Sequence, residues 1–272
     1  TIVLASLFKG ETDCRKIYLD GPHTSKESFD RKAGQFKLAV NTSDVLQWNE
    51  SASLPLLPTP ESLNVFLTLR KAPWIGKDID RQWRVRPDNE LHATNQSNLM
   101  DLISKECPDG FWKIYKGASF DIWNPETGEV NAYGDPKVIL PWIQRKRLKA
   151  HSSSRDSVHK EFSQKFIENE NTLSPLKARV VFRDVTNRTN SRTIVACLIP
   201  PKTFVTNKAP VLMFPRGDTK DDAYVLGVLC SRPFDWYARR FVETNVNFFI
   251  FNPFPVPRVG RDNPYWNRVV EL

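Results

Sequence analysis

Residues 178–201 read ARVVFRDVTNRTNSRTIVACLIPP, and this stretch decides the fold class. Two runs rich in β-branched and apolar residues, 178–185 and 193–199, flank a polar turn at 186–192 and predict a β-hairpin. Side chains alternate between the two faces of a strand. One face of the first strand is therefore expected to carry Arg179, Val181 and Arg183, and the other Val180, Phe182 and Asp184.

Further strands and helices alternate along the rest of the chain. Thr59-Pro60-Glu61 has the N-cap, the first-turn proline and the acid of a helix start. Apolar spacing predicts three more helices, at 152–169, 221–230 and 233–244, and the very basic segment 136–149 is expected to be a helix or a loop. Short β-rich runs predict strands at 2–8, 16–19, 35–40, 112–115, 120–123, 209–214 and 248–251. The mixture predicts an α+β fold, with a mixed, twisted β-sheet and peripheral helices.

The net charge of +8 is concentrated in one window. Residues 137–192 contain 13 Lys and Arg against five Asp and Glu, so this window accounts for the whole excess. A localised basic segment indicates a nucleic-acid partner better than a diffuse excess does. Within it, Arg145, Lys146 and Arg147 are candidates for contacts with phosphates.

The predicted hairpin tip is the second candidate for contact with DNA. Asn187, Arg188, Asn190 and Arg192 supply bidentate donors and acceptors, the groups that read adenine and guanine edges in the major groove. Further candidates on or beside the same sheet are Lys116, Arg179, Arg183 and Lys202.

Several strings, in this order, resemble one known family. They are IYKGASF at 114–120, the hairpin stretch at 178–201, YVLGVLCSRPFDWYARR at 224–240, and NFFIFNPFPVP at 247–257. They resemble the target-recognition (specificity) region of large adenine-specific DNA methyltransferases of type IIG restriction–modification and BREX-like phage-exclusion systems. Lys116 stands where that family usually has an acid. The resemblance spans roughly residues 30–260.

The resemblance implies a division of labour within a longer parent chain. Residues 1–105 would form a β-rich segment that leads from a methyltransferase domain N-terminal to Thr1, and residues 106–272 would form the α+β recognition domain. The missing initiating Met fits that expectation. S-adenosylmethionine would bind in the other domain, and no cofactor is expected in this fragment. The implied partners are double-stranded DNA and that N-terminal methyltransferase domain, which could be accompanied by a nuclease.

Motifs for catalysis within the chain itself are weak. Asn252-Pro253-Phe254 and Asn263-Pro264-Tyr265 lack the second proline of a base-flipping amino-methyltransferase loop. Asp109, Asp135 and Lys137 can be read as a metal-dependent nuclease motif, which leaves an enzyme as one alternative. A module that binds RNA or a protein is the other.

The cysteines and the apolar runs indicate the cellular setting. Cys14, Cys107, Cys197 and Cys230 have no metal-binding or redox spacing, which favours a reducing, cytoplasmic environment. Cys197 and Cys230 lie in apolar runs and are expected in the core. No apolar run is long enough for a transmembrane helix, so no membrane partner is expected.

Overall fold

The structure is a computed structural model, and it describes residues 15–23, 25–34, 38–48, 53–79, 83–153 and 155–271. The elements in chain order are β1 Lys16–Leu19, α1 Lys26–Lys32, β2 Leu38–Asn41, α2 Thr42–Trp48, α3 Pro60–Leu69, β3 Arg86–Asp88, β4 Trp112–Tyr115, β5 Ala132–Gly134, α4 Pro136–Ser152, α5 Gln164–Glu168, β6 Arg179–Phe182, β7 Ala196–Ile199, β8 Thr203–Val205, β9 Val211–Met213, α6 Thr219–Leu229, α7 Arg232–Ala238, α8 Phe248–Phe251 and α9 Pro264–Val270. Single 3₁₀ turns lie between several of these elements. The strand predicted at 2–8, the start of the one predicted at 35–40, and Cys14 lie outside the described residues.

The α+β prediction is confirmed, and the described strands divide among three sheets. β1 pairs with β2; four strands follow the order β3-β9-β6-β7; three follow the order β5-β4-β8. The four-stranded sheet is antiparallel, whereas β4 pairs antiparallel with β5 and parallel with β8. The predicted hairpin at 178–199 is present, with Val181 opposite Cys197. Because β3 pairs with β9, backbone hydrogen bonds cross the boundary expected at residue 105.

Strand β6 is buried on both faces, contrary to the simple alternation of a half-exposed strand. All four of its residues are buried. Val180 and Phe182 pack into the larger core with α6, α7 and α8, where the Phe182 ring stacks on Phe251 at 4.6 Å. Val181 packs into a second cluster with Tyr115 and residues of β7. Buried Cys197 and Cys230 confirm the expectation for these thiols, and burial raises their pKa values to about 11 and about 12.

Helix α4 covers the three-stranded sheet. Ile139 and Ile143 on its inner face are buried against Ile114 of β4 and Phe204 of β8. Its N-cap is Asp135, whose Oδ1 accepts the backbone N–H of Lys137 at 2.9 Å. The segment 136–149, for which a helix or a loop was expected, is thus helical, and the helix extends to Ser152.

Three predicted elements were wrong, and a fourth is shorter than predicted. In place of one helix over 152–169, serine caps at Ser157 and Ser163 start a 3₁₀ turn and the short α5. Residues 248–251 form the helical turn α8 and not a strand, because a short apolar run fits either structure. Residues 120–123 form a turn instead of a strand, and the final residue of that segment has φ 59°. The helix predicted at 233–244 ends at Ala238.

Within the described residues, no helix combines the length and the apolarity needed to cross a bilayer.

Candidate nucleic-acid interface

The loop between β6 and β7, residues 187–192, is held from inside by helix α7. The Asp235 carboxylate accepts the backbone N–H groups of Thr193 at 2.7 Å and Ile194 at 2.8 Å. The same carboxylate pairs with Arg239 at 2.9 Å. Asp235 itself is 4% exposed, so this anchor lies within the core. We call residues 187–192 the recognition loop, after the base-reading role that the sequence predicts for it.

Arg239 holds the carbonyl groups of the recognition loop. Its guanidinium donates to the carbonyl oxygens of Arg188 at 2.6 Å, Asn190 at 2.8 Å and Ser191 at 2.7 Å. A planar guanidinium suits this task because its donors have a fixed geometry. The inward carbonyls leave the side chains at 187, 189, 190 and 191 on the outside, and all four residues are exposed.

The predicted base-reading residues of this loop divide into two groups. Asn187 and Asn190 are exposed, and the Asn187 side-chain oxygen accepts the backbone N–H and the hydroxyl of Thr189, both at 3.0 Å. Arg188 is partly exposed and lies 3.9 Å from Glu243. Arg192, by contrast, turns inward, where it donates to the carbonyl oxygens of Cys230 and Ser231. The Asn190 amide nitrogen also donates to the Thr186 hydroxyl at 3.5 Å, so both exposed asparagines have a hydrogen bond in or directly beside the loop, and Arg192 packs the loop against α6 and α7.

Arg179 is a core residue, although the strand pattern made it a candidate for DNA contact. Its guanidinium forms two hydrogen bonds of 2.9 Å with the carboxylate of Glu90 and one of 2.6 Å with the carbonyl oxygen of Thr203. The side chains of Arg179 and Glu90 are 6% and 3% exposed. Glu90 also accepts the backbone N–H of Val205 at 3.0 Å. The pair therefore joins β6 of the four-stranded sheet to β8 of the three-stranded sheet.

Arg183 follows β6 and braces a neighbouring turn. It donates to the carbonyl oxygens of Gly117 at 2.6 Å and Phe120 at 2.9 Å. A Cβ on Gly117 would lie 2.7 Å from Cγ of Arg183, so this close approach requires glycine. Lys116, beside it, lies 3.7 Å from Glu129 and is partly exposed. Arg183 thus links the segment after β4 to the residues between β6 and the recognition loop.

The cations of α4 point in different directions. Arg145 is exposed, as are Lys137 and Lys149 on the same outer part of the helix. Lys146 turns toward β3, where its ammonium lies 3.7 Å from Asp88.

Arg147 is the buried member of the α4 cluster. It is 4% exposed and donates to Gln144, to the Thr172 hydroxyl and to the Asn169 carbonyl oxygen, and its pKa is lowered by burial. Of the three candidates predicted on this helix, the structure leaves Arg145 most accessible to a phosphate.

Lys202 is exposed on the tight turn between β7 and β8. Its backbone has φ 59°, the left-handed region, which costs a residue with a side chain about 1–2 kcal/mol. Its N–H donates to the carbonyl oxygen of Pro175 at 2.8 Å, which fixes the turn. The ammonium group is thus presented at a defined place on the surface.

The residues of the nuclease alternative have other roles or no visible cluster. Asp135 caps α4 and Asp109 lies in an exposed turn. Across the described part of the chain, no group of three or more His, Cys, Asp or Glu side chains is placed to hold a metal ion.

Sequence reasoning missed four residues that shape this surface: Glu90, Asp235, Arg239 and Trp123. The first three act through partners far away in sequence, and no local pattern signals such contacts. The sequence predicted Trp123 at the end of a strand, although the Asn124-Pro125 dipeptide that follows it is a turn signal.

Comparisons with known proteins give distant similarities among solved structures alone. No protein family and no curated protein matches the chain. Among solved structures, the type IIG restriction endonuclease BpuSI aligns with 87% of this chain at 12% identity and a TM-score of 0.46. The alignment covers 30% of the length of that enzyme. A similarity this distant does not determine the fold or the function of the present chain.

Proposed function

We propose that this chain recognises a specific sequence in double-stranded DNA, as the recognition region of an adenine (N6)-specific DNA methyltransferase in a restriction–modification or phage-defence system. The observation that carries the proposal is the recognition loop, whose backbone is fixed by Arg239 and Asp235 while Asn187 and Asn190 face outward. The asparagine amide pairs with the N6 and N7 groups of adenine in the major groove. A fixed backbone lowers the entropy lost when such side chains bind.

Charge supports the same proposal. The window 137–192 carries the excess positive charge of the chain, and Lys137, Arg145 and Lys149 lie exposed on α4. Such cations attract the phosphate backbone without regard to sequence, and they make binding weaken as salt rises. Base contacts from the loop would then select among sites already bound.

In this proposal the chemistry takes place in another domain of the parent chain. That domain would bind S-adenosylmethionine and receive the flipped adenine. The part played by the residues described above is to hold the duplex in register. The ordered strings at 114–120, 178–201, 224–240 and 247–257 support this assignment, because separate stretches resemble one family in one order.

The test is selection of duplexes from a randomised pool by this chain, followed by salt titration on the enriched duplex. Asn190→Ala is expected to relax the selection at one base pair, where discrimination falls by about 1–3 kcal/mol. The double variant Arg145→Ala, Lys149→Ala is expected to reduce the slope of log K against log salt by about 1.8, since each phosphate contact contributes about 0.9. Lys220→Ala on α6 is the matched control, because Lys220 is exposed outside the basic window.

Three outcomes would contradict the proposal. A pool that shows no enriched duplex would exclude sequence recognition by this chain. An equal loss of slope in the Lys220→Ala control would show that the charge acts diffusely. An RNA that competes better than the enriched duplex would favour the RNA-binding alternative.

A further inference from the structure

The exposed side chain of Trp123 lies on a turn after β4 and has no part in the proposed function. Trp123 is 60% exposed, and its backbone has φ 59°. Left-handed backbone is uncommon for a bulky residue and persists only where the surroundings impose it. We call residues 120–125 the Trp123 turn.

Contacts on both sides impose this conformation. The backbone groups of Asp121 and Asn124 bond to each other in both directions, at 2.8 and 3.0 Å, which closes the turn. Ile122 packs against two clusters of the core, and its N–H donates to the Asp121 carboxylate at 2.8 Å. Since Ile122 faces inward at the centre of a closed turn, the neighbouring Trp123 ring is held in solvent.

Arg183 fixes this turn at the same end of β6 as the recognition loop. Its guanidinium holds the carbonyl oxygens of Gly117 and Phe120 at the base of the turn, and the chain continues from Arg183 into the loop. Arg183 therefore ties the base of the Trp123 turn to the strand end from which the chain enters the recognition loop.

The charges around the turn favour contact with bases over contact with phosphates. Asp121 in the turn is an exposed acid, Glu126 pairs with Lys113, and Glu129 lies 3.7 Å from Lys116, so the turn carries no net positive charge. The Trp123 turn thus offers a rigid apolar ring with no excess positive charge beside it. Such rings stack on bases or enter a base step, and they do not bind phosphates.

We propose that Trp123 inserts against a base of the bound duplex and unstacks one base step. This inference rests on the proposed function, because it requires duplex DNA on the recognition loop. It adds a contact with bases that depends on stacking and not on charge. Loss of the ring should therefore weaken binding without changing its dependence on salt.

The test uses the duplex enriched by selection with the unaltered chain. Trp123→Asn removes the ring and keeps a residue that tolerates left-handed backbone, and Trp123→Phe keeps an aromatic ring. Tyr265→Ala is the matched control, because Tyr265 is an aromatic residue on α9 that is 71% exposed. Measured for each protein are the affinity, the salt slope and the permanganate reactivity of thymines in the bound duplex, which reports unstacking.

The expected result is a loss of affinity of about 5- to 150-fold for Trp123→Asn, the range of one stacked base, with an unchanged salt slope and loss of the reactive thymine. Trp123→Phe should retain most of the affinity, and Tyr265→Ala all of it. Unchanged affinity and reactivity in Trp123→Asn would overturn this inference alone, as expected for a turn that docks on a protein. Failure of the unaltered chain to bind any duplex would overturn the proposed function as well.

Discussion

Replacement of Arg179 by alanine tests whether this arginine holds the fold or contacts DNA. The change leaves the Glu90 carboxylate, which is 3% exposed, without the two hydrogen bonds of 2.9 Å that balance its charge. The carbonyl oxygen of Thr203 also loses its 2.6 Å donor. Removal of one member of a buried ion pair costs about 3–5 kcal/mol. Since a domain is stabilised by only about 5–15 kcal/mol, Arg179→Ala should be close to unfolding.

Urea denaturation followed by circular dichroism measures this loss. A double-mutant cycle with Glu90→Gln then isolates the interaction, because the amide still accepts the backbone N–H of Val205 without leaving a buried charge. We expect the Glu90→Gln background to reduce the cost of Arg179→Ala by about 2 kcal/mol or more. The reasoning is refuted if Arg179→Ala costs less than about 1 kcal/mol while it lowers the salt slope of DNA binding by about 0.9, the result for a phosphate contact.

Three further substitutions test the recognition loop, the turn at Lys202 and the first turn of helix α6. Arg239→Ala should lower stability by about 1–3 kcal/mol, the loss expected when hydrogen bonds from a charged group are removed. It should also broaden the range of DNA sequences selected. Arg232 is an exposed arginine at the start of α7, and Arg232→Ala should have neither effect. Lys202→Gly should keep or slightly raise the urea midpoint, because glycine accepts φ 59° without strain, yet lower the salt slope by about 0.9 if the lysine meets a phosphate. Burial, and then the neighbouring Asp221, raise the pKa of Asp222 from its usual 3.8 to about 6, so the folded state binds more protons than the unfolded chain between those values. Stability should therefore fall as pH rises from about 4 to 6, and Asp222→Asn should remove that slope and gain up to about 2 kcal/mol at pH 7.5 in the same denaturation assay.

The local elements were the most predictable part of the fold. Thr59 caps α3, as the Thr59-Pro60-Glu61 string predicts, whereas the same kind of signal at Asp135-Pro136 was interpreted as part of a nuclease motif, and Asp135 caps α4. The hairpin around 178–199 was also predictable, because two β-branched runs enclose one polar turn. The division of the strands among separate sheets was not, since it depends on pairings such as β4 with β8 across about 90 residues. No pattern within one strand indicates its distant partner.

The same limit applies to the candidate site. A strand with alternating arginines predicts an exposed basic face only if no acid from elsewhere reaches it. Glu90 does reach Arg179, from a position 89 residues away in sequence. Arg239 braces the recognition loop from 49 and 51 residues away. By contrast, the exposure of Asn187 and Asn190 follows from their place in a polar turn between two strands, and their role in reading bases stays a prediction.

Several arginines of this chain donate hydrogen bonds to carbonyl oxygens. They add positive charge to the protein, although their donors are used within the fold. Arg183 donates to two carbonyl groups at the base of the Trp123 turn, and Arg147 to neutral oxygens beneath α4. A carbonyl oxygen accepts the hydrogen bond but does not cancel the charge. Such arginines therefore add to the positive field of the protein, which would attract DNA under the proposed function, although their side chains are occupied. Arginine serves both purposes because its rigid fork holds backbone in place while it stays charged. The positive charge of residues 137–192 is thus explained in part by the bracing of loops, and the proposed phosphate contacts within it need only the exposed cations, such as Arg145 and Lys149.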